Sequence, residues 1–125
     1  TRYGASGVFG PDDLDGPEVA SPGSPCPDAV IAPETFLLQS LSQGFTLLSI
    51  NQEPKVHITE CGSTLTHLRA KAGSDENIFL SQRYLGDQKT AVYLIRPDQH
   101  VAARWAEFDE TAIRNSIRVS LGYVV

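Results

Sequence analysis

The 125-residue chain has no methionine, one tryptophan, two cysteines and no run of basic residues. Two cysteines, Cys26 and Cys61, do not make the disulfide framework of a small secreted domain, so a reducing cytoplasm is the expected setting. Scattered Lys and Arg on a chain of formal net charge −5 give no clustered cationic surface for a nucleic-acid duplex or an anionic membrane. The longest apolar stretch, Ala91–Ile95, is far too short to span a bilayer. The N-terminus lacks the basic, apolar and small-residue order of a signal peptide. With no methionine and a start at Thr1, the chain is expected to continue a longer translated product.

What is present is unevenly distributed. Residues 1–28 hold five of the ten glycines and five of the eight prolines. That density disfavours helix or central strand and predicts an extended connector, with a folded domain over 29–125. Tyr3, Val8, Phe9 and Leu14 suggest that the connector lies on protein, on a surface belonging to a missing region. Asp12-Asp13-Leu14-Asp15 reads as a solvated acidic patch.

Regular patterns follow. Pro33–Ser42 predicts a short helix ending at Gly44, and Phe45–Ile50 a strand covered on both faces. After a polar loop over 51–58, Cys61, Leu65, Leu68 and Ala72 fall at helical spacing, with Thr59 as cap and Gly73 as stop. Ile78–Arg83 alternates as a second strand. Thr90–Ile95 and His100–Trp105 flank Arg96-Pro97-Asp98-Gln99, in which Pro97 presets φ and Asp98 suits the next turn position, so a β-hairpin is predicted. Asp109 and Glu110 open a last helix whose stripe is Ile113, Ile117 and Leu121, with Gly122 as stop. From residue 45 the expected order is β-α-β-β-β-α. This is an α/β fold with a mixed sheet, the first two strands parallel, and a thioredoxin-like layout.

That layout raises a redox possibility. Cys61 would stand near a helix start as a monothiol, since Thr64 occupies the second-cysteine position. Its other reading is a small hydrophobe continuing the Leu65–Leu68 stripe. Whether Cys26 meets Cys61 is open. His57, His67 and His100 lack metal-ligand spacing and read as solvated or hydrogen-bonded side chains. No Gly-x-Ser-x-Gly, Gly-x-Gly-x-x-Gly or calcium-loop pattern occurs. Trp105 is either core beneath the last helix or an interface residue.

Two segments carry a family likeness. Pro22–Ile31, a Leu-rich stretch and Gly44–Leu48 (GFTLL) occur in order before Ala91–Trp105 (AVYLIRPDQHVAARW). This resembles the C-terminal domain of class A flavoprotein monooxygenases, the aromatic-ring hydroxylases that include phenol, hydroxyphenylpropionate and polyketide hydroxylases. Leu94, Arg96, Pro97, Asp98, Val101, Ala102 and Arg104 match its L-x-R-P-D-x-x-V-A-x-R hairpin. Pro22, Gly23, Pro27 and Asp28 match its P-G-x-R-x-P-D segment, although Ser24-Pro25-Cys26 stands where the family has its Arg. Thr1–Ser6 is similar to the stretch where the family's catalytic part ends.

The resemblance implies a non-catalytic structural domain that packs on the FAD and substrate domains of a parent enzyme and sometimes contributes to homodimer contacts. FAD and NAD(P)H chemistry would belong to the parent, with none bound by this fragment: the family's Gly-x-Gly-x-x-Gly and Gly-Asp-Ala flavin motifs are absent, and Gly86-Asp87-Gln88 shares only two letters with the latter. The bare chain is then expected to expose an apolar patch. A monothiol redox protein using Cys61 and a free-standing interaction module are the alternatives.

Overall fold

The structure is a computed structural model and describes residues 11–60, 62–73 and 77–122. Cys61 and the segment Thr1–Ser6 lie outside the described residues.

The elements, in chain order, begin with strand β1 (Asp12–Asp13) and a single 3-10 turn at Glu18–Ala20. A small hairpin, β2 (Val30–Ala32) and β3 (Thr35–Phe36), leads into α1 (Leu37–Ser40). Then come β4 (Thr46–Ile50), β5 (Thr59–Glu60), β6 (Ser63–Thr64) and β7 (Thr66–Ala70). The helix α2 (Ile78–Leu80) widens into π-type turns over Ser81–Leu85. The hairpin β8 (Ala91–Ile95) and β9 (Val101–Trp105) precedes α3 (Glu110–Ser120).

One mixed sheet organises the molecule, in the order β1-β9-β8-β4-β7. β4 runs parallel to β7, β8 is antiparallel to both β4 and β9, and β1 is parallel to β9. The fold is therefore α/β, and the strand over Phe45–Ile50, the hairpin and the final helix form as the sequence predicts. β4 and β8 are buried along their whole length, as continuous apolar runs require.

Three expectations are corrected. The helix predicted over 59–73 is instead β5, β6 and β7. Leu65 and Leu68 look like helix neighbours, but Leu65 packs on one face of the sheet and Leu68 on the other. Gly62, at φ +79, connects β5 to β6 in a conformation that suits glycine. The helix start on which the monothiol reading of Cys61 relied is therefore not formed. The strand predicted over Ile78–Arg83 is helical: Leu80 and Tyr84, four apart, are fully buried, while Ile78 and Phe79 are exposed. The main-sheet order from residue 45 is thus β-β-α-β-β-α. The helix predicted over Pro33–Ser42 shrinks to Leu37–Ser40, because Pro33 and Glu34 (φ +57) turn the β2–β3 hairpin. Asp28 caps that short helix from outside it, its Oδ1 accepting from the amides of Ala29 and Leu38 at 2.9 and 3.0 Å.

The sheet separates two cores. α2, α1 and the connector cover one face, around Leu48, Ile50, Leu80, Tyr84, Tyr93 and Ile95. α3 covers the other, with Ile113 and Ile117 against Leu47, Val92, Leu94 and Trp105. Trp105 is therefore a core residue, whereas Leu121 of the predicted stripe is exposed. Asp109 caps α3, accepting from the Ala112 amide at 3.1 Å.

Candidate functional site

The chemically dense region is a buried polar seam where the connector crosses β9. Its centre is Arg104, whose side chain is only 3% exposed although its strand lies toward the sheet edge. Alternation along β9 turns Arg104 toward the face that carries Tyr93, its cross-strand partner. The guanidinium donates to both oxygens of Asp12, from Nε at 2.5 Å and Nη2 at 3.0 Å. It also donates from Nη1 to the Pro17 carbonyl at 2.6 Å. A planar fork between a carboxylate and a carbonyl is a use to which Arg is suited and Lys is not. Burial disfavours the charge on Arg104, but Asp12 and Tyr93 outweigh it, so the group holds its proton more tightly than usual. Asp12, Asp13 and Asp15 are exposed, as the acidic stretch predicts; Asp12 is in addition an ion-pair partner, and Leu14 between them is buried.

From Arg104 the seam runs inward. The Tyr93 hydroxyl donates to the Tyr84 carbonyl at 2.5 Å, and the two rings meet edge to face at 4.8 Å. The Tyr84 hydroxyl donates to the carbonyl of Pro27 and lies 2.9 Å from Cys26 Sγ. The Cys26 thiol also faces the Pro27 carbonyl, at 3.8 Å, so either sulfur or oxygen can be the donor between Cys26 and Tyr84. Burial raises Tyr93 to about 12, with the Arg104 charge pulling the other way. Burial likewise raises Tyr84, and raises the Cys26 thiol to about 11. Nothing in the seam is primed to react: the thiol and both phenols stay protonated, and the one cation faces its carboxylate.

Among the motif residues, Val101 and Arg104 join this seam, while Arg96, Pro97 and Asp98 stand apart in the hairpin turn. There Arg96 pairs with Asp98 at 3.0 Å, and the Gln99 amide closes the turn on the Arg96 carbonyl at 2.9 Å. Gln99, at φ +65, supplies the left-handed residue of a three-residue loop. Sequence reasoning missed Asp12, Tyr84 and Tyr93. Only Tyr93, in the middle of a strand covered on both faces, carried a signal, since a buried hydroxyl needs a partner.

A second feature is an open groove of about 870 Å³ at the other end of the sheet, with Val30, Pro33, Asn51, Arg69, Lys71 and Asn77 in its wall. Asn51, at φ +60, ties its floor together, donating to the Lys89 carbonyl at 2.9 Å and accepting from the Ala72 amide at 2.8 Å. Among the described residues no group of three or more His, Cys, Asp or Glu side chains is placed to hold a metal ion. Nor is any helix among them long and apolar enough to cross a membrane.

The fold is shared with part of a flavin enzyme. RebC, the rebeccamycin biosynthetic enzyme, with reduced flavin, superposes with a TM-score of 0.62 at 24% identity, over 98% of this chain and 23% of that one. Its substrate-free form gives 0.57 at 22% identity, over 99% and 23%. The flavin-dependent monooxygenase PieE, in complex with FAD and substrate, gives 0.60 at 20% identity, over 98% and 24%. The chain thus spans about a quarter of the length of these neighbours. No family model matches it, and no curated protein does.

No Gly-x-Gly-x-x-Gly turn exists to receive a pyrophosphate. The N-terminus of α3, the long helix of this RebC-like fold, is occupied by the Asp109 carboxylate and followed by Glu110, which repel an anion.

Proposed function

We propose that this chain is a non-catalytic structural domain of a larger FAD- and NAD(P)H-dependent monooxygenase that hydroxylates phenolic or aromatic compounds. The observation that carries the reading is the superposition of nearly the whole chain on about a quarter of RebC and of PieE. The hairpin motif Leu94-x-Arg96-Pro97-Asp98 with Val101 and Arg104 supports it from an independent direction. So does the character of the seam, whose titratable groups hold one another rather than facing a cavity. The strand order, with its parallel pair and antiparallel hairpin, supports a thioredoxin-like ancestry in which the crossover helix has been lost. FAD and NAD(P)H act elsewhere in the parent. This domain's partners are the parent's own FAD and substrate domains, with homodimer contacts made through the parent, in the cytoplasm.

The test is the reading frame upstream of Thr1. The expected result is a long region with a strand–Gly-x-Gly-x-x-Gly–helix start and a later Gly-Asp flavin motif. A start codon next to Thr1 removes the reading. It would leave the interaction module, or thiol chemistry at Cys61, to be tested by thiol titration.

A further inference from the structure

The connector residues 11–26 close the outer edge of β9 in two separate stitches. At one end, β1 pairs parallel to Arg104 and Trp105, and the Arg104 amide donates to the Pro11 carbonyl at 3.1 Å. At the other, the Gly23 amide donates to the Val101 carbonyl at 2.8 Å and the Val101 amide to the Ser24 carbonyl at 2.9 Å. The Cys26 amide there donates to the Gln99 carbonyl at 2.8 Å. Between the stitches the chain arches over the Arg104 guanidinium, which reaches Asp12 on one limb and Pro17 on the other. Gly16 sits at the closest approach: a Cβ there would lie 2.9 Å from Leu14 Cδ2 and 3.3 Å from Arg104 Nη1, so these side chains would have to shift.

The segment is held mainly by polar groups. Its buried apolar side chains are few and mostly small (Leu14, Ala20, Pro22 and Cys26), whereas β4, β8 and α2 supply the large ones. The strands β9, β8, β4 and β7 are hydrogen-bonded to one another without it. Such a segment, rich in backbone bonds and poor in apolar burial, belongs to the low end of the local stability scale.

We propose that residues 11–26 form a strap that leaves the β9 edge as one unit while the rest of the sheet stays folded, with the Arg104–Asp12 pair as its latch. Opening bares the backbone edge of β9, which is a template for pairing with another strand. It also uncovers Cys26, which is 6% exposed in the closed state. The inference rests on the geometry of this chain and not on the monooxygenase reading.

Cys26 is the natural reporter. In a Cys61→Ser background, so that one thiol remains, the rate of labelling by a disulfide reagent is measured across low denaturant, alongside amide hydrogen exchange. The expected result is labelling through an opening that denaturant hardly affects, with the outward amides of Val101 and Arg104 exchanging well before those of β4. Asp12→Asn should raise the labelling rate roughly ten- to a hundredfold, the worth of a charge-assisted bond, and leave β4 exchange unchanged. Arg104→Lys, which keeps the charge and loses the fork, should act in the same direction. Labelling of Cys26 that tracks β4 exchange at every denaturant concentration would show the strap to be part of the global unit and overturn the proposal. An unchanged labelling rate in Asp12→Asn would overturn the latch.

Discussion

The two faces of the sheet are buried by different means. Beneath α3 the contacts are almost wholly apolar, and the ion pairs of that helix lie outside the core: Arg114 and Arg118 reach Glu60 at 3.1 and 2.6 Å. Beneath the connector, aliphatic packing is interleaved with the chain from Asp12 through Arg104, Tyr93 and Tyr84 to Cys26. An apolar face tolerates repacking, because the penalty of a change follows lost volume. A polar seam demands that every partner be present, because an orphaned buried group costs its desolvation outright. The α3 face therefore supplies bulk stability, and the seam fixes where the connector lies.

The sharpest way to break this contrast is to empty each face in turn. Ile113→Ala, at a fully buried position, should cost about 3 kcal/mol in urea unfolding, and restoring Val should recover most of it. On the other face, Tyr84→Phe keeps the ring contact with Tyr93 and removes only the hydroxyl. It should cost about 1–3 kcal/mol by removing the hydroxyl that bonds the Pro27 carbonyl and meets the Cys26 thiol, leaving only their long contact with each other. If Tyr84→Phe proves neutral, the seam is not a structural requirement and the contrast fails. Pro97→Gly, in the turn that serves both faces, should cost about 0.4–1 kcal/mol through the freed unfolded chain, with no gain or loss of chemistry.

The smallest expected effect is on pH dependence and uses His67, on the α3 side of β7. His67 Nε2 lies 2.8 Å from Ser49 Oγ, and burial, reinforced by the charge of Arg69, holds His67 below its ordinary 6.5. The unfolded chain therefore takes up that proton first. Stability from this group is complete above pH 6.5 and is lost as pH falls from there through the folded value. His67→Gln should flatten that part of the stability profile and leave the alkaline side unchanged.

How much of this was legible in the sequence divides along the same line. The hairpin could be read because its signals are adjacent: Pro97 and Asp98 sit between two β-rich runs. α3 could be read because Asp109, Ile113 and Ile117 fall within three turns. The strand Thr66–Ala70 was hidden by apolar residues three apart that serve opposite faces of the sheet. The helix at Ile78 was hidden because Leu80 and Tyr84 carry its buried spacing while Ile78 and Phe79, at its start, face solvent. The seam was the least legible, since its defining pair joins Asp12 to Arg104 across nearly the whole chain. An Asp in a Gly- and Pro-rich acidic stretch gives no local sign of such a partner.

Trp105 carries a spectroscopic consequence. It is the only tryptophan of the chain, and its indole Nε1 is buried with no hydrogen-bond partner among the described residues. An indole in such dry surroundings emits at short wavelength and is shielded from dissolved quenchers. The α3 face thus has a built-in optical signal, while the opposite face has a chemical one in the thiol of Cys26. The two halves of one small core can be followed separately, in the same sample, without an added label on the α3 side.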